Sequence, residues 1–332
     1  MKKSSFPDWI AESLEVIQAN LSERSRKHFP HFVKAHAQLT MLLDELSPQI
    51  RIMEIRETSP QYLQEKFGDA YKGLALCVES FIFQWAYQNF YKIMSWTSGF
   101  EKALQDGNFL VATSCSRGLF EQICHFDFYL GKLERAARKT MTLWQNERKN
   151  IMRGKMPGEK WRVAYAQSQI GILQDALKAM RGSDYDWKAW IAEALETAGT
   201  PAREEDELPH EMERKTHVNS AREAVEKRHK IKLERYYDIL CDLVHPNFGS
   251  NSLVVVTREH LGDRLGHVEL SHTPKNAEAA AWFFEVVSEP MHEIIDVAVN
   301  DIQLANRIMT YFKEQTDGLA RPAAQPSRPH LH

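Results

Sequence analysis

Four things are missing from this sequence: a glycine-rich loop, cysteines at CxxC spacing, an apolar run of membrane length and a surplus of basic charge. Each absence removes a class of function. Without a glycine-rich loop there is no cradle of backbone N–H groups for a nucleotide phosphate. The four cysteines (Cys77, Cys115, Cys124 and Cys241) are scattered and make no zinc pattern. Cys77, Cys115 and Cys241 fall in apolar helical patterns, as small buried hydrophobes of a reducing compartment do. The most apolar stretch, Gly73 to Met94, carries Glu79, Gln84, Gln88, Asn89 and Lys92, which marks a buried core helix rather than a membrane span. Residues 1–8 hold no apolar segment, so no signal peptide is expected. Lys and Arg number 42 against 45 Asp and Glu, a net charge of −3, which argues against a broad nucleic-acid surface. No Gly-x-Ser-x-Gly elbow points to a hydrolase. The expectation is a cytoplasmic protein off the membrane, with no metal site and no cofactor assigned.

What is present is helical periodicity, and it predicts an all-α multi-helix bundle. Pro7 should open a first helix reaching Glu23, with Trp9, Ile10, Leu14, Ile17 and Leu21 on one face. Pro30 should start a second, closed by Pro48. Long helices near 69–98 and 108–134 are apolar almost all round and belong at the centre. Further helices are expected at 136–152, 160–181, 185–198 and, unbroken, 219–244. Ser252–Thr257 and His267–Ser271 alternate like strands around Gly262–Gly266, which predicts a small β-hairpin insertion near 252–271. A last helix should run from Asn276 to Phe312. The organisation expected is an N-terminal helical core at 1–134, a polar helical insertion or cap at 135–215, C-terminal helices with the hairpin at 216–316, and a disordered tail at 317–332.

Two constellations carry chemistry. On the 108–134 helix, Ser114, Arg117, Glu121 and His125 fall within about 80° of one another on the helical wheel. Charge on so apolar a helix must meet a partner, because unpaired buried charge costs several kcal/mol. Glu79 on the 69–98 helix is one candidate partner. The stripe reads either as a pocket, with Arg117 binding an anion or Glu121 acting as a general base, or as an ion pair fixing helix register. The second constellation is the run from Tyr236 to Asn247. Pro246 disfavours the α conformation at His245 and so ends a helix there. The helix C-terminus and Asp242 both favour the imidazolium form of His245. Tyr237 and Cys241 precede His245 by eight and four residues on roughly the same face, and Asn247 follows. The alternative is a His C-cap and Asn turn that need no ligand.

An all-helical chain with a His closing a late core helix resembles the HEPN superfamily of bacterial helical proteins, many of them RNases of toxin and phage-defence systems. The pairing of Arg117-x3-Glu121 with Tyr237…His245-Pro246 is also similar to uncharacterised bacterial helical proteins. The likeness covers about 110–135 and 216–250. It implies an effector acting on RNA or a nucleotide, with His245 as acid or base. The HEPN nuclease motif places four to six residues between its Arg and its His, and here those Arg positions hold Asp238, Ile239 and Leu240. Arg26 and His31 have the spacing, but Pro30 lies between them. Arg117 would have to supply the cation from another helix.

Glu226-x-x-His229 and Glu289-x-x-His292 match the Glu-x-x-His spacing of di-iron bundles, with Glu79 and Glu121 to complete the set. Their surroundings read instead as solvated faces, and Pro290 interrupts the second motif. Three functional readings remain: a HEPN-like effector with His245, Arg117 and Glu121 catalytic and Glu79, His125, Tyr237 and Asn247 binding; a helical scaffold or regulatory subunit for a protein partner or a second copy of itself; and a ferritin-like di-iron protein.

Overall fold

The computed structural model describes residues 6, 8–51, 65, 70–152, 168–173, 176, 217–244, 255–260, 266–270 and 277–320. Its body is all-α. The helices are α1 (Asp8–Ala19), α2 (Glu23–Arg51), α3 (Ala70–Gln105), α4 (Phe109–Met152), α5 (Val218–His229), α6 (Glu234–Val244) and α7 (Ala277–Ala320). No helix among the described residues is long and apolar enough to cross a membrane. Between α6 and α7, strands β1 (Val255–His260) and β2 (Gly266–Leu270) pair antiparallel, with Val255 opposite Leu270 and a register shift before Thr257. Backbone pairing is all that is described of them, and a hairpin insertion packed on the helices does not follow from it.

Several boundaries differ from the sequence expectation for identifiable reasons. Pro30 and Pro48 lie inside α2 rather than at its ends. The earlier signal is Ser22, whose carbonyl accepts from Arg26 N at 2.9 Å and whose Oγ accepts from Ser25 N at 3.3 Å, an N-cap one residue before the helix. Both prolines are exposed, so water can satisfy the carbonyls that their missing N–H groups leave over. The helices expected at 108–134 and 136–152 are one continuous α4, since nothing between them breaks an α-helix. The single helix expected over 219–244 is two. Lys230, with φ 59° and ψ 38°, takes the left-handed conformation that ends α5.

The α3–α4 turn is built as its sequence, Asp106-Gly107-Asn108, demands. Gly107 has φ 70°, its N–H bonds Leu104 O at 3.0 Å, and Asn108 N bonds Ala103 O at 2.8 Å, a Schellman motif. Asn108 Oδ1 then accepts from Val111 N at 3.1 Å and caps α4.

The chain divides into two compact units. One comprises 1–52, 87–128 and 216–302, and the other 53–86, 129–215 and 303–332. The first has an aromatic core. Phe284, fully buried, meets Phe6, Phe29 and Phe32 with ring centroids 6.1, 5.1 and 5.9 Å away, and Phe283 stacks on Phe109 at 5.0 Å. Such offset and edge contacts add roughly 0.5–1.5 kcal/mol per pair beyond area burial. The second unit buries Leu74, Val78, Ile82, Leu130, Leu133, Leu173, Ile308 and Phe312, and joins Thr140 to Ser168 by a buried hydroxyl–hydroxyl hydrogen bond.

The acidic row of α7, expected as a solvent stripe, is a docking face in the first unit. Glu285 accepts from Ser22 N (2.9 Å) and Ser22 Oγ (2.5 Å), placing a carboxylate on the N-terminus of α2, where the helix dipole favours it. Glu289 accepts from Arg24 at 2.8 Å. The side chain of Glu278 lies outside the described residues.

Candidate functional site

The wheel argument for α4 has a physical counterpart. Arg117 Nε donates to Glu121 Oε1 at 2.9 Å, one turn on, and the Tyr237 hydroxyl of α6 donates to the same oxygen at 2.9 Å. The Tyr237 ring stacks on Phe120 with centroids 5.6 Å apart, and the Arg117 guanidinium lies 5.9 Å from the Tyr237 centroid, within cation–π range. Burial, reinforced by the bond to Glu121, pushes the Tyr237 hydroxyl well above its usual range, so it is a donor at any physiological pH. Burial opposes the Arg117 charge, while Glu121 and the Cys241 side chain favour it. Arg117 and Glu121 keep 24% and 33% of their side-chain surface in solvent, so an incoming anion could reach the pair.

The other residues singled out in the sequence fall as follows. Ser114 turns its hydroxyl to Leu110 O at 3.1 Å, within its own helix. His125, one turn beyond Glu121, is half-buried. Burial holds its pKa down, opposed by Glu121 and assisted by Lys92 and His217, so it favours the neutral imidazole. Glu79 belongs to the second compact unit. His245, Pro246 and Asn247 lie outside the described residues, which end at Val244 on α6. The Arg26–His31 spacing is otherwise employed: Arg26 donates to Ala19 O and Leu21 O at 3.1 and 2.9 Å, and His31 stacks on His292 at 5.3 Å.

The residues of the Glu-x-x-His pairs bond within their own helices and to neighbouring helices and loops. Glu226 Oε1 accepts from Leu233 N and from Glu234 N (2.9 Å), and its Oε2 from Arg222 at 3.0 Å. Leu233 stands at the N-cap of α6 with no side-chain acceptor, and Glu226 reaches across the break to fill that role. Glu226→Ala is therefore expected to lower stability by about 1–2 kcal/mol, measured by urea unfolding. Glu226→Gln, which keeps an acceptor oxygen, should lose less, and equal losses for the two variants would refute the capping role.

His229 is not on a solvated face. Its Nε2 lies 2.7 Å from Asp127 Oδ1 on α4, which also accepts from Arg228 at 3.0 Å. Asp127 is 1% exposed, and with His229 and Asp301 of α7 it brings three potential ligand atoms within 4.8 Å of one another. Sequence reading weighed His229 only with Glu226. Asp127, an acid amid Phe126, Phe128 and Leu130, was the available signal, since a lone carboxylate on so apolar a helix face implies a partner.

No family model matches this chain, and neither a curated protein nor a solved structure matches it.

Proposed function

We propose that the chain is a HEPN-like helical effector that acts on a phosphodiester of RNA or on a nucleotide, with Arg117 as the cation that its late helix lacks. One observation carries the reading. Arg117 lies along the face of α6 occupied by Tyr237 and Cys241, and in the sequence His245 follows Cys241 by four residues. In this reading Arg117 stabilises charge on the phosphoryl oxygens, Glu121 and Tyr237 hold the guanidinium in place, and His245 exchanges the proton.

The test is degradation of labelled single-stranded RNA and of nucleoside triphosphates by the purified chain, beside growth arrest on its expression. His245→Ala and Arg117→Ala should each reduce turnover by about 10²-fold or more while the helical circular dichroism stays unchanged. Full activity in His245→Ala overturns the proposal. A second reading, a scaffold binding a protein partner, draws on the mutual satisfaction of Arg117, Glu121 and Tyr237, which closes their strongest hydrogen bonds within the protein. It predicts that both variants keep full biological effect.

A further inference from the structure

We propose that Asp127, His229 and Asp301 bind one divalent transition-metal ion, of the Zn2+ or Mn2+ class, which ties the C-terminus of α5 to α4 and α7. The inference is independent of the phosphodiester reading, since none of these residues belongs to the Arg117 cluster.

The donor set comes first. One imidazole with two carboxylates is a borderline-to-hard site that suits Zn2+ or Mn2+, whereas Mg2+ prefers oxygen ligands and waters alone. Each donor stands on a separate helix of the first compact unit, and His229 is the last residue of α5. Two ligands about 2.1 Å from a tetrahedral ion are about 3.4 Å apart. All three ligand atoms here lie within 4.8 Å of one another, so rotamer adjustments of about an ångström would close the shell. The 2.7 Å His229–Asp127 contact would open by a similar amount as the ion took its place.

A second observation points to a ligand. The described side-chain partners of Asp127, His229 and Arg228, share its Oδ1, while Oδ2 is buried and accepts no hydrogen bond. A carboxylate oxygen left so in a protein interior is costly, and native structures fill such places with water or an ion. The donor set favours an ion over water: two carboxylates and an imidazole converge where both carboxylates are 1% exposed. His229, 22% exposed at its side chain, gives the ion its route in and a water its place as fourth ligand.

The test uses the full chain, stripped with chelator and titrated separately with Zn2+ and Mn2+ by calorimetry, with thermal unfolding in parallel. The expected result is one ion per chain at micromolar affinity or tighter and a rise in melting temperature. Asp301→Asn and His229→Gln should each weaken binding at least 100-fold. Absence of binding by either metal overturns the proposal, and so does binding that both variants leave unchanged, since that ion would sit elsewhere. If a variant does not fold, X-ray absorption of the wild-type zinc or manganese complex decides. A nitrogen/oxygen shell with a single imidazole supports the site, and a thiolate or multiple-imidazole shell overturns it.

Discussion

Asp127→Ala is expected to lower the unfolding free energy by about 3–5 kcal/mol, the range found when one partner is removed from a buried ion pair. The carboxylate is 1% exposed and lies 2.7 Å from His229 Nε2 and 3.0 Å from Arg228 Nη1. Its removal takes the carboxylate acceptor away from His229 and Arg228, while the backbone carbonyl of residue 127 still accepts from Arg228 at 3.2 Å. The alanine adds only a small cavity, so most of the loss is electrostatic and hydrogen-bonding. Denaturant unfolding of wild type and variant at pH 7, with chelator present, isolates this network from any bound ion. A loss below about 1 kcal/mol, the value of an exposed pair, would show that the network contributes little.

Lowering the pH from 7.5 to 5 should remove about 2 kcal/mol of stability through His36 alone. His36 is 1% exposed among Phe6, Phe32 and Phe100, with ring centroids 5.0, 6.0 and 5.5 Å away. Burial pushes its pKa from the ordinary 6.5 down to about 4. Glu101, with Oε1 3.8 Å from the His36 ring, does not reverse this. Burial raises its own carboxyl, Asp44 assists, and a hydrogen bond from Thr40 opposes, so the pair leans to its neutral forms. The folded pKa lies below the unfolded one. Between pH 6.5 and 4 the unfolded chain therefore binds the proton that the folded chain refuses, and stability falls as pH falls. Other histidines titrate in the same window, so the measurement is the difference in slope between wild type and His36→Leu over pH 7.5–5. The variant should be flatter by about 2 kcal/mol, and matching slopes would show that His36 protonates without cost.

The polar stripe was legible because helical periodicity is local. Arg117 and Glu121 are one turn apart on any α-helix, so their pairing needed no tertiary information. That Tyr237 completes the cluster required α6 to pack against α4 in this register, which a single sequence does not encode in readable form. The solvated-face reading of His229 had the opposite fate. Its neighbours Lys227, Arg228 and Lys230 are charged, and composition pointed to water. The chain instead ends α5 at a left-handed Lys230 and turns the end of the helix toward Asp127. No Gly or Pro announced that break. Glu226, by capping α6 from the previous helix, makes a break tolerable that local propensity alone would not predict.

By itself the sequence determined the secondary structure of most of the described residues, because apolar spacing and the Asp106-Gly107-Asn108 turn act through neighbouring residues. It also determined that Arg117 and Glu121 must be satisfied, because charge on an apolar helix cannot stay unpaired. Only the tertiary structure decided with whom: Tyr237 for Glu121, Ser22 for Glu285, and Asp127 for His229. Those partners lie more than 70 residues apart in every case, and the energy that joins them is set by burial, which belongs to the packed unit and to no segment of the chain.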